Sequence, residues 1–373
     1  MKSFENFKLL PSLHATLSEK GFTVPTEIQG RAIPQLLAGK SIVGVSETGS
    51  GKTLAYVLPV LHFLKTLENQ GQAITVESQP RAVVVVPTRE LGEQVSKVFK
   101  PFTHTTRVRV RTVLGGTAFE VAKRNVTGAF EILVATPGRL IQLLDRKLIS
   151  LSDVRFLVFD EADQMLDQGF LPDATRIVSL CPQERQLALF SATVTDAVQK
   201  LIKDLFSTAQ VIRTEGSHQV VSSLKTVQRT IENGERFPVL EELLKKKVEG
   251  GTLIFVNTRA QCDVLAAELA KSKYKHVIYR GEMDKVQRRT NLKIFREGKV
   301  HLLVATDLAS RGLDIEHVGR VINYHMPKHM ENYLHRVGRT ARAGRDGLVI
   351  NFVTERDLAF VETLKTVAPD KRQ

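Results

Sequence analysis

The sequence predicts an α/β protein with two tandem domains, each a parallel β-sheet flanked by helices. Three observations predict this fold class: short β-branched runs alternate with helical patterns, most of the runs are apolar throughout, and two segments recur at one constant offset. Strands of a parallel sheet are apolar at successive positions because helices cover both faces. The alternation with helices favours parallel pairing of these strands.

Twelve runs are predicted as strands, six in each half of the chain. In the first half they are Ile42–Val45, Ala82–Val86, Val110–Leu114, Ile132–Ala135, Phe156–Phe159 and Leu187–Phe190. In the second half they are Val227–Ile231, Leu253–Val256, His276–Tyr279, Leu302–Ala305, Val318–Asn323 and Leu348–Val353. The pattern over Leu54–Glu68 predicts a helix soon after the first strand.

Two short segments of the first half recur in the second half, 170 residues later. Val86–Arg89 is echoed by Val256–Arg259, and Leu133–Thr136 by Leu303–Thr306. Each copy stands at the end of a predicted strand, which indicates a duplicated unit. We therefore expect similar domains at 1–213 and 224–373, joined by a polar linker at 214–223.

Composition excludes several classes of protein. Of the 373 residues, 42% are apolar and 25% are charged, which is typical of a globular chain and not of a disordered one. No apolar run reaches the roughly 18 residues of a membrane span, and the amino terminus lacks a secretory core. Cys181 and Cys262 are too few for a disulfide framework or a four-ligand zinc site. We expect a cytoplasmic monomer with no membrane partner.

The charge is strongly basic, with 53 Lys and Arg against 40 Asp and Glu. Residues 1–210 hold 24 bases and 20 acids, which leaves 29 bases and 20 acids, a net charge of +9, for the remainder. A surplus of this kind favours a polyanionic partner through counterion release.

The segment from Ser46 to Thr53 has the context of a phosphate-binding loop, since it follows a predicted strand and precedes a predicted helix. Its candidate nucleotide ligands are Ser46, Glu47, Thr48, Gly49, Ser50, Gly51, Lys52 and Thr53. Glycines let backbone N–H groups wrap a phosphate, and a helix amino terminus adds positive charge. We expect Lys52 to reach the β- and γ-phosphates and Thr53 to ligate magnesium. Ser46 replaces the glycine of the strict pattern, and the alternative is a Gly/Ser turn with an incidental lysine.

An acidic segment, residues 160–163, ends the predicted strand Phe156–Phe159, which we expect to neighbour the strand of the phosphate loop. Magnesium prefers carboxylates and retained waters, a role that suits Asp160. Glu161 suits the task of orienting or deprotonating an attacking water. The alternative is a solvated acidic loop.

Three arginines at a spacing of three, Arg336, Arg339 and Arg342, follow His335 in the second half. They occupy one helix face, or a helical turn and its exit. In a two-domain nucleotide hydrolase such arginines reach toward the γ-phosphate, where an arginine finger contributes roughly 10³–10⁵ in turnover. The alternative is a solvated basic face.

These segments, in this order, resemble the DEAD-box ATP-dependent RNA helicases of superfamily 2, as a short bacterial-type core from about Phe4 to about Val353. The resemblance implies RecA-like folds for both domains, with ATP and Mg²⁺ as cofactors. Gly21–Gln29 resembles the family's Q motif, in which Gln29 reads the adenine edge and Phe22 packs on the base.

The resemblance also implies RNA contacts on both domains. From the first domain these are Thr88, Arg89, Gly116, Thr136, Pro137, Gly138 and Arg139. From the second they are Thr258, Arg259, Arg280, Gly281, Thr306 and Arg311. Asp314 matches the ribose contact, Arg339 and Arg342 match the finger arginines, and the residues that couple hydrolysis to strand separation are Asp163, Ser191, Thr193 and His335.

The expected function is RNA-stimulated ATP hydrolysis coupled to interdomain closure, with sequence-independent RNA binding and local unwinding of short duplexes or remodelling of RNA–protein complexes. Partners in ribosome assembly or RNA decay are compatible with such a core. One alternative is an ATP-gated RNA clamp or chaperone with little unwinding, and another is a DNA-directed motor. Gly92 stands where the family usually has alanine, a change that we expect to matter little, whereas Arg280 and Lys285 replace histidine and glutamine and add positive charge near the RNA path.

Overall fold

The computed structural model describes residues 3–47, 49–214, 224–307, 318–340 and 347–367. The chain divides into two compact units, Met1–Ser217 and His218–Gln373. Of the predicted linker at 214–223, only Thr214 lies within the described residues. Each unit contains one parallel sheet with helices packed on it.

The first unit is built on a seven-stranded parallel sheet in the order β3-β4-β2-β5-β6-β1-β7. Its strands are β1 Ile42–Val45, β2 Ala82–Val85, β3 Val110–Val113, β4 Ile132–Ala135, β5 Phe156–Phe159, β6 Gln186–Ser191 and β7 Gln210–Arg213. Its helices are α1 Pro11–Glu19, α2 Glu27–Leu37, α3 Lys52–Asn69, α4 Arg89–Thr106, α5 Phe119–Asn125, α6 Pro137–Asp145, α7 Ala162–Asp167, α8 Leu171–Ser179 and α9 Asp196–Leu205, with a 3-10 turn at Phe4–Asn6.

The second unit is built on a six-stranded parallel sheet in the order β10-β11-β9-β12-β13-β8. Its strands are β8 Leu224–Thr230, β9 Gly251–Val256, β10 Val277–Tyr279, β11 Leu302–Thr306, β12 Val318–Asn323 and β13 Gly347–Val353. The helices in its described part are α10 Arg236–Leu244, α11 Arg259–Lys271, α12 Lys285–Arg296, α13 Met330–Val337 and α14 Leu358–Val367, with a 3-10 turn at Glu355–Asp357.

The apolar strands are buried on both faces, as the sequence predicted. In β2, Val83 and Val85 belong to one apolar cluster and Val84 to the cluster on the opposite face. In β9, Phe255 and Ile254 likewise belong to apolar clusters on opposite faces of the sheet. Helices on both faces therefore enclose each sheet, and the polar residues of interest lie where the strands end.

The two sheets share one strand order, which confirms the prediction of two similar folds. The series β3-β4-β2-β5-β6-β1 corresponds position by position to β10-β11-β9-β12-β13-β8. All twelve predicted strands are present, but β7 was not predicted. It is an edge strand in which only Ile212 is buried, so it lacks the apolar run that marks most of the others. Across the described ranges, no helix combines the length and apolarity needed to cross a membrane.

Candidate nucleotide site and RNA-facing edges

The predicted phosphate loop connects β1 to the amino terminus of α3. Gly49 and Gly51 have φ values of 87° and 90°, the left-handed region that favours glycine. A Cβ atom on Gly51 would lie 2.4 Å from Nε2 of Gln29, so close packing also requires glycine there. Thr48, a predicted member of this loop, lies outside the described residues.

Lys52, the first residue of α3, is buried with its ammonium turned into the loop. Its Nζ donates to the carbonyl oxygens of Ser46 at 2.7 Å and Glu47 at 3.1 Å. The Oγ atoms of Ser46 and Ser50 are 2.8 Å apart, and Ser50 Oγ donates to Glu47 O at 2.7 Å. The loop therefore concentrates a lysine, N–H donors and a helix amino terminus at one point, the arrangement that binds phosphate.

The Q-motif residues lie beside this loop. Gln29, on α2, is buried; its Oε1 accepts from Thr26 N at 2.9 Å and its Nε2 donates to Gly51 O at 3.1 Å. Phe22 is 45% exposed, so its ring is open to a stacking partner. The structure thus joins Gln29 to the phosphate loop, and the adenine contacts of Gln29 and Phe22 stay predictions.

The acidic turn follows β5. Asp160 and Glu161 are both buried, and Glu161 has a left-handed φ of 52°. Asp160 Oδ1 accepts from Glu161 N at 3.0 Å, and Oδ2 accepts from the Tyr56 hydroxyl at 2.8 Å. Burial, and then the neighbouring Glu161, raise the pKa of Asp160 to about 6, while Lys52 and the Tyr56 hydrogen bond act in the opposite direction.

Asp163 forms the core of a buried polar network with the end of β6. Its Oδ2 accepts from Ala192 N at 3.1 Å, from Thr193 N at 2.9 Å and from Thr193 Oγ1 at 2.9 Å. Ser191 Oγ donates to Thr193 O at 2.7 Å, and Ser191 O accepts from Ser46 N at 3.1 Å. The end of β6 is therefore bonded to the acidic turn on one side and to the phosphate loop on the other.

One expectation about this edge was wrong. The strands of the phosphate loop and the acidic turn, β1 and β5, are not neighbours, because β6 lies between them. Local sequence predicts a strand but not its place in a sheet. The intervening strand explains why Ser191 contacts both elements, while Thr193 bonds the acidic turn.

The donors at this edge fit magnesium. Within the described ranges, no group of three or more His, Cys, Asp and Glu side chains forms a cage. Magnesium in nucleotide sites uses one or two carboxylates, substrate phosphates and retained waters. Asp160 and the Thr53 hydroxyl provide such a minimal set.

The predicted RNA contacts of the first unit follow the other three strands, β2, β3 and β4. Thr88 caps α4, with Oγ1 accepting from Leu91 N at 3.3 Å. Gly115 N donates to Thr136 Oγ1 at 2.9 Å, which joins the loop containing Gly116 to the start of α6 at Pro137 and Gly138. Arg89 pairs with Glu93 at 2.7 Å, and Arg139 donates to Thr117 O at 2.5 Å. The structure therefore brings these residues to one half of the sheet edge.

The second unit repeats this arrangement at β9, β10 and β11. Thr258 caps α11, and Arg259 forms an ion pair with Glu282. Arg280 Nε lies 2.9 Å from Asp263 Oδ1, so an acid offsets the charge that this substitution adds. Gly281 follows Arg280, and Thr306 ends β11. Of the other predicted residues, Arg311, Asp314, Arg342 and the side chain of Lys285 lie outside the described part.

Sequence reasoning assigned no separate role to Arg336, yet its guanidinium is 1% exposed and central to the second unit. It contacts both carboxylate oxygens of Asp307, at 2.5 and 2.8 Å, and Asn257 Oδ1 at 2.7 Å. It also donates to Asn323 Oδ1 and to His325 O, and lies 5.1 Å from the ring centroid of Phe255. Arg336 thereby ties the ends of β9, β11 and β12 to α13. The sequence alone offered a solvated basic face as the alternative, and burial excludes that for Arg336.

His335 and Arg339 lie beside it. His335 is buried on α13, and Arg339, just beyond the helix end, is 2% exposed with Nε donating to His335 O at 3.2 Å. The pair is therefore held at a helical turn and its exit, one of the two arrangements predicted from the spacing.

The first unit contains a glycine-containing loop with a buried lysine, and hydrogen bonds through the middle strand β6 join this loop to a carboxylate turn. This arrangement defines the first unit as the nucleotide-binding part of a phosphate-loop hydrolase. Residues 26–201 match the DEAD/DEAH box helicase family, and residues 235–344 match the helicase conserved C-terminal domain. The chain belongs to the DEAD-box family and is an ATP-dependent RNA helicase.

Individual relatives agree with this assignment. The chain is 34% identical, over its whole length, to the ATP-dependent RNA helicase CshA of Listeria monocytogenes, of which it spans 70%. It is 35% identical to the mouse ATP-dependent RNA helicase DDX4 and spans 54% of that longer protein. Among solved structures, S. cerevisiae Dbp5 bound to RNA and ADP BeF3 matches the whole chain with a TM-score of 0.87 at 30% identity, and 95% of that chain is covered.

Proposed function

We propose that the protein hydrolyses ATP in response to RNA and uses this cycle to grip RNA without regard to sequence and to open short duplexes locally. One observation carries the proposal: the hydrogen bonds that run from Ser46 through Ser191 and Thr193 to Asp163. A phosphate loop and an acidic turn joined in this way respond together to the γ-phosphate.

Each residue of the nucleotide site has a proposed task. Lys52 leaves its two loop carbonyls to bind the β- and γ-phosphates, and Gln29 with Phe22 selects adenine. Thr53 and Asp160 would hold Mg²⁺, which neutralises phosphate charge when it is bound. Glu161 is proposed to orient the attacking water, since a positioned carboxylate is the group that this step needs.

The second unit is proposed to supply the remaining groups. Arg339 and Arg342 would stabilise charge on the γ-phosphate when ATP and RNA are both bound, so each ligand strengthens the binding of the other. The paired loops after β2, β3, β4 and after β9, β10, β11 support an RNA path along both edges. Contacts to phosphates carry no base information, so binding is expected to be sequence-independent and weakened by salt.

The decisive experiment is Glu161→Gln, which keeps the size of the side chain and removes its basicity. We expect unchanged ATP affinity and a loss of RNA-stimulated turnover of about a hundredfold or more, measured by phosphate release. Glu355→Gln, at an exposed position after β13, is the matched control and retains full turnover. Equal turnover in Glu161→Gln and the parent would refute the assignment.

The same preparation separates the alternatives left by the sequence. A helicase separates a short RNA duplex in an ATP-dependent reaction, whereas an ATP-gated clamp retains single-stranded RNA with ATP and leaves the duplex intact. A DNA-directed motor is stimulated equally by single-stranded DNA, and we expect stimulation by RNA alone.

A further inference from the structure

Tyr56 stands one turn after Lys52 on α3, and none of the motifs above gives it a part in the reaction. Its side chain is fully buried, with its ring centroid 5.4 Å from that of Phe190 on β6. Its hydroxyl donates to Asp160 Oδ2 at 2.8 Å. A polar group is costly at such a depth unless it is bonded, so this contact is the one that keeps the hydroxyl in the core.

The contact fixes the orientation of Asp160. Among the described residues, Tyr56 provides the one side-chain donor to this carboxylate, and the other oxygen is held by Glu161 N at 3.0 Å. Each oxygen keeps a further lone pair for a cation. The carboxylate is thereby set in one rotamer.

The second proposed metal ligand, Thr53, lies on the same helix as Tyr56, three residues before it. Residues at this spacing share one face of a helix, so the Tyr56 hydroxyl bonds Asp160 from the helix face that carries Thr53. Tyr56 therefore connects the helix of Thr53 to the Asp160 carboxylate.

We propose that Tyr56 is a positioning residue whose hydroxyl orients the Asp160 carboxylate and so strengthens the binding of the Mg²⁺–nucleotide complex. The inference rests on the proposed function, in which Thr53 and Asp160 hold the cation. Partners that orient metal ligands change metal affinity or activity by about 10–100-fold when removed.

The test is Tyr56→Phe, which keeps the ring and deletes one oxygen atom. The Mg²⁺ concentration that half-saturates the increase in affinity for fluorescent ADP is expected to rise about tenfold, with ADP affinity in EDTA unchanged. Mn²⁺ binding to the ADP complex, followed by electron paramagnetic resonance, provides a second readout without turnover. Turnover is expected to recover at saturating Mg²⁺.

The matched control is Tyr324→Phe in the second unit, since Tyr324 is also a buried tyrosine and follows β12, outside the nucleotide-binding unit. We expect it to lower the melting temperature comparably and to leave the Mg²⁺ midpoint unchanged. In an Asp160→Asn background, Tyr56→Phe is expected to cause no further shift.

An unshifted Mg²⁺ midpoint in Tyr56→Phe, an equal shift in Tyr324→Phe, or an undiminished shift in the Asp160→Asn background would each overturn the inference. Failure of the unaltered chain to hydrolyse ATP with Mg²⁺ and RNA would instead overturn the proposed function. The two failures are therefore distinguishable.

Discussion

The two sheets have the same strand order, but equivalent strand ends carry opposite charges. After β5 the first unit buries the acids Asp160 and Asp163, whereas after β12 the second unit continues with Tyr324 and His325. Arg336, on α13, brings a buried cation to that edge of the second unit, where it bonds Asn323 and His325. The ends of β2 and β9 are instead alike, since Thr88 and Thr258 each cap the next helix.

The fold provides a location at each strand end, and the residues after the strand decide its chemistry. Ligands of open parallel sheets bind at the carboxyl edge of the strands. In this protein one half of each edge has a common arrangement, the one proposed to contact RNA. The other half has diverged, so that only the first unit has a phosphate loop in its described part.

The largest effect is expected from replacing one acid in each unit, the half-buried Asp307 and the buried Asp160. Asp307→Ala leaves the Arg336 guanidinium without its carboxylate, and breaking a buried pair of this kind costs about 3–5 kcal/mol. We expect lower resistance to urea and faster hydrogen exchange in β9, β11 and β12.

Asp160→Asn is expected to act on stability in the opposite direction from Asp307→Ala. The fold raises the pKa of Asp160 to about 6, above its unfolded value, so the charged carboxylate lowers the stability of the fold at neutral pH. Without nucleotide or divalent cation, this variant is expected to be at least as stable as the parent in urea. If Asp307→Ala and Asp160→Asn lower stability in urea equally, the inferred difference between the two units is wrong.

An intermediate effect is expected from Thr193→Val. It removes the hydroxyl that donates to Asp163 at 2.9 Å and leaves the two backbone donors in place. The loss of one such bond costs about 1–2 kcal/mol in stability. We expect ATP turnover to stay within about threefold of the parent while duplex separation per ATP falls further.

Thr354→Val is the matched control for this variant. Thr354 follows the equivalent strand β13, and its hydroxyl also donates to an aspartate, Asp357, at 2.6 Å. We expect a similar loss of stability and unchanged duplex separation per ATP. The same loss of separation in both variants would show that the coupling is not specific to the first unit.

The smallest effect is expected at Gly92, where the sequence suggested that alanine would be equivalent. A Cβ atom there would lie 2.4 Å from Cδ2 of the buried Leu114, next to the Gly115–Gly116 loop, so the leucine side chain has to shift to accommodate it. The equivalent position in the second unit, 170 residues later, is Cys262, which has a side chain. We expect Gly92→Ala to weaken RNA binding about threefold, since gained helix propensity offsets part of the steric cost.

Leu114→Ala in the Gly92→Ala background tests the stated cause. It makes room for the added methyl group, and RNA affinity measured by fluorescence anisotropy is expected to recover relative to Gly92→Ala. A further loss would show that Leu114 supports the loop in another way.

The sequence was sufficient where the signal is local. Short β-branched runs, most of them apolar, predicted twelve strands, and the 170-residue offset predicted the duplication. It failed for β7, an exposed edge strand, and for the order that inserts β6 between β1 and β5. Both depend on which elements meet in three dimensions.

The same limit applies to single residues. Tyr56 lies in an apolar helical pattern that gives no sign of its hydroxyl contact with Asp160, and Arg336 lies in a run that is also typical of a solvated face. In each case the partner is more than 25 residues away along the chain. Motifs identify the groups that react, whereas the groups that hold them emerge only from packing.

The left-handed backbone conformation of Glu161 lowers the stability of the fold at a residue that is proposed to be needed for turnover. A residue with a Cβ atom gives up about 1 kcal/mol in that conformation, which glycine would largely recover. Selection for heat resistance alone would therefore favour Glu161→Gly, which under the proposed role of Glu161 gives a more stable but inactive protein. Any programme of thermostabilisation has to hold position 161 fixed.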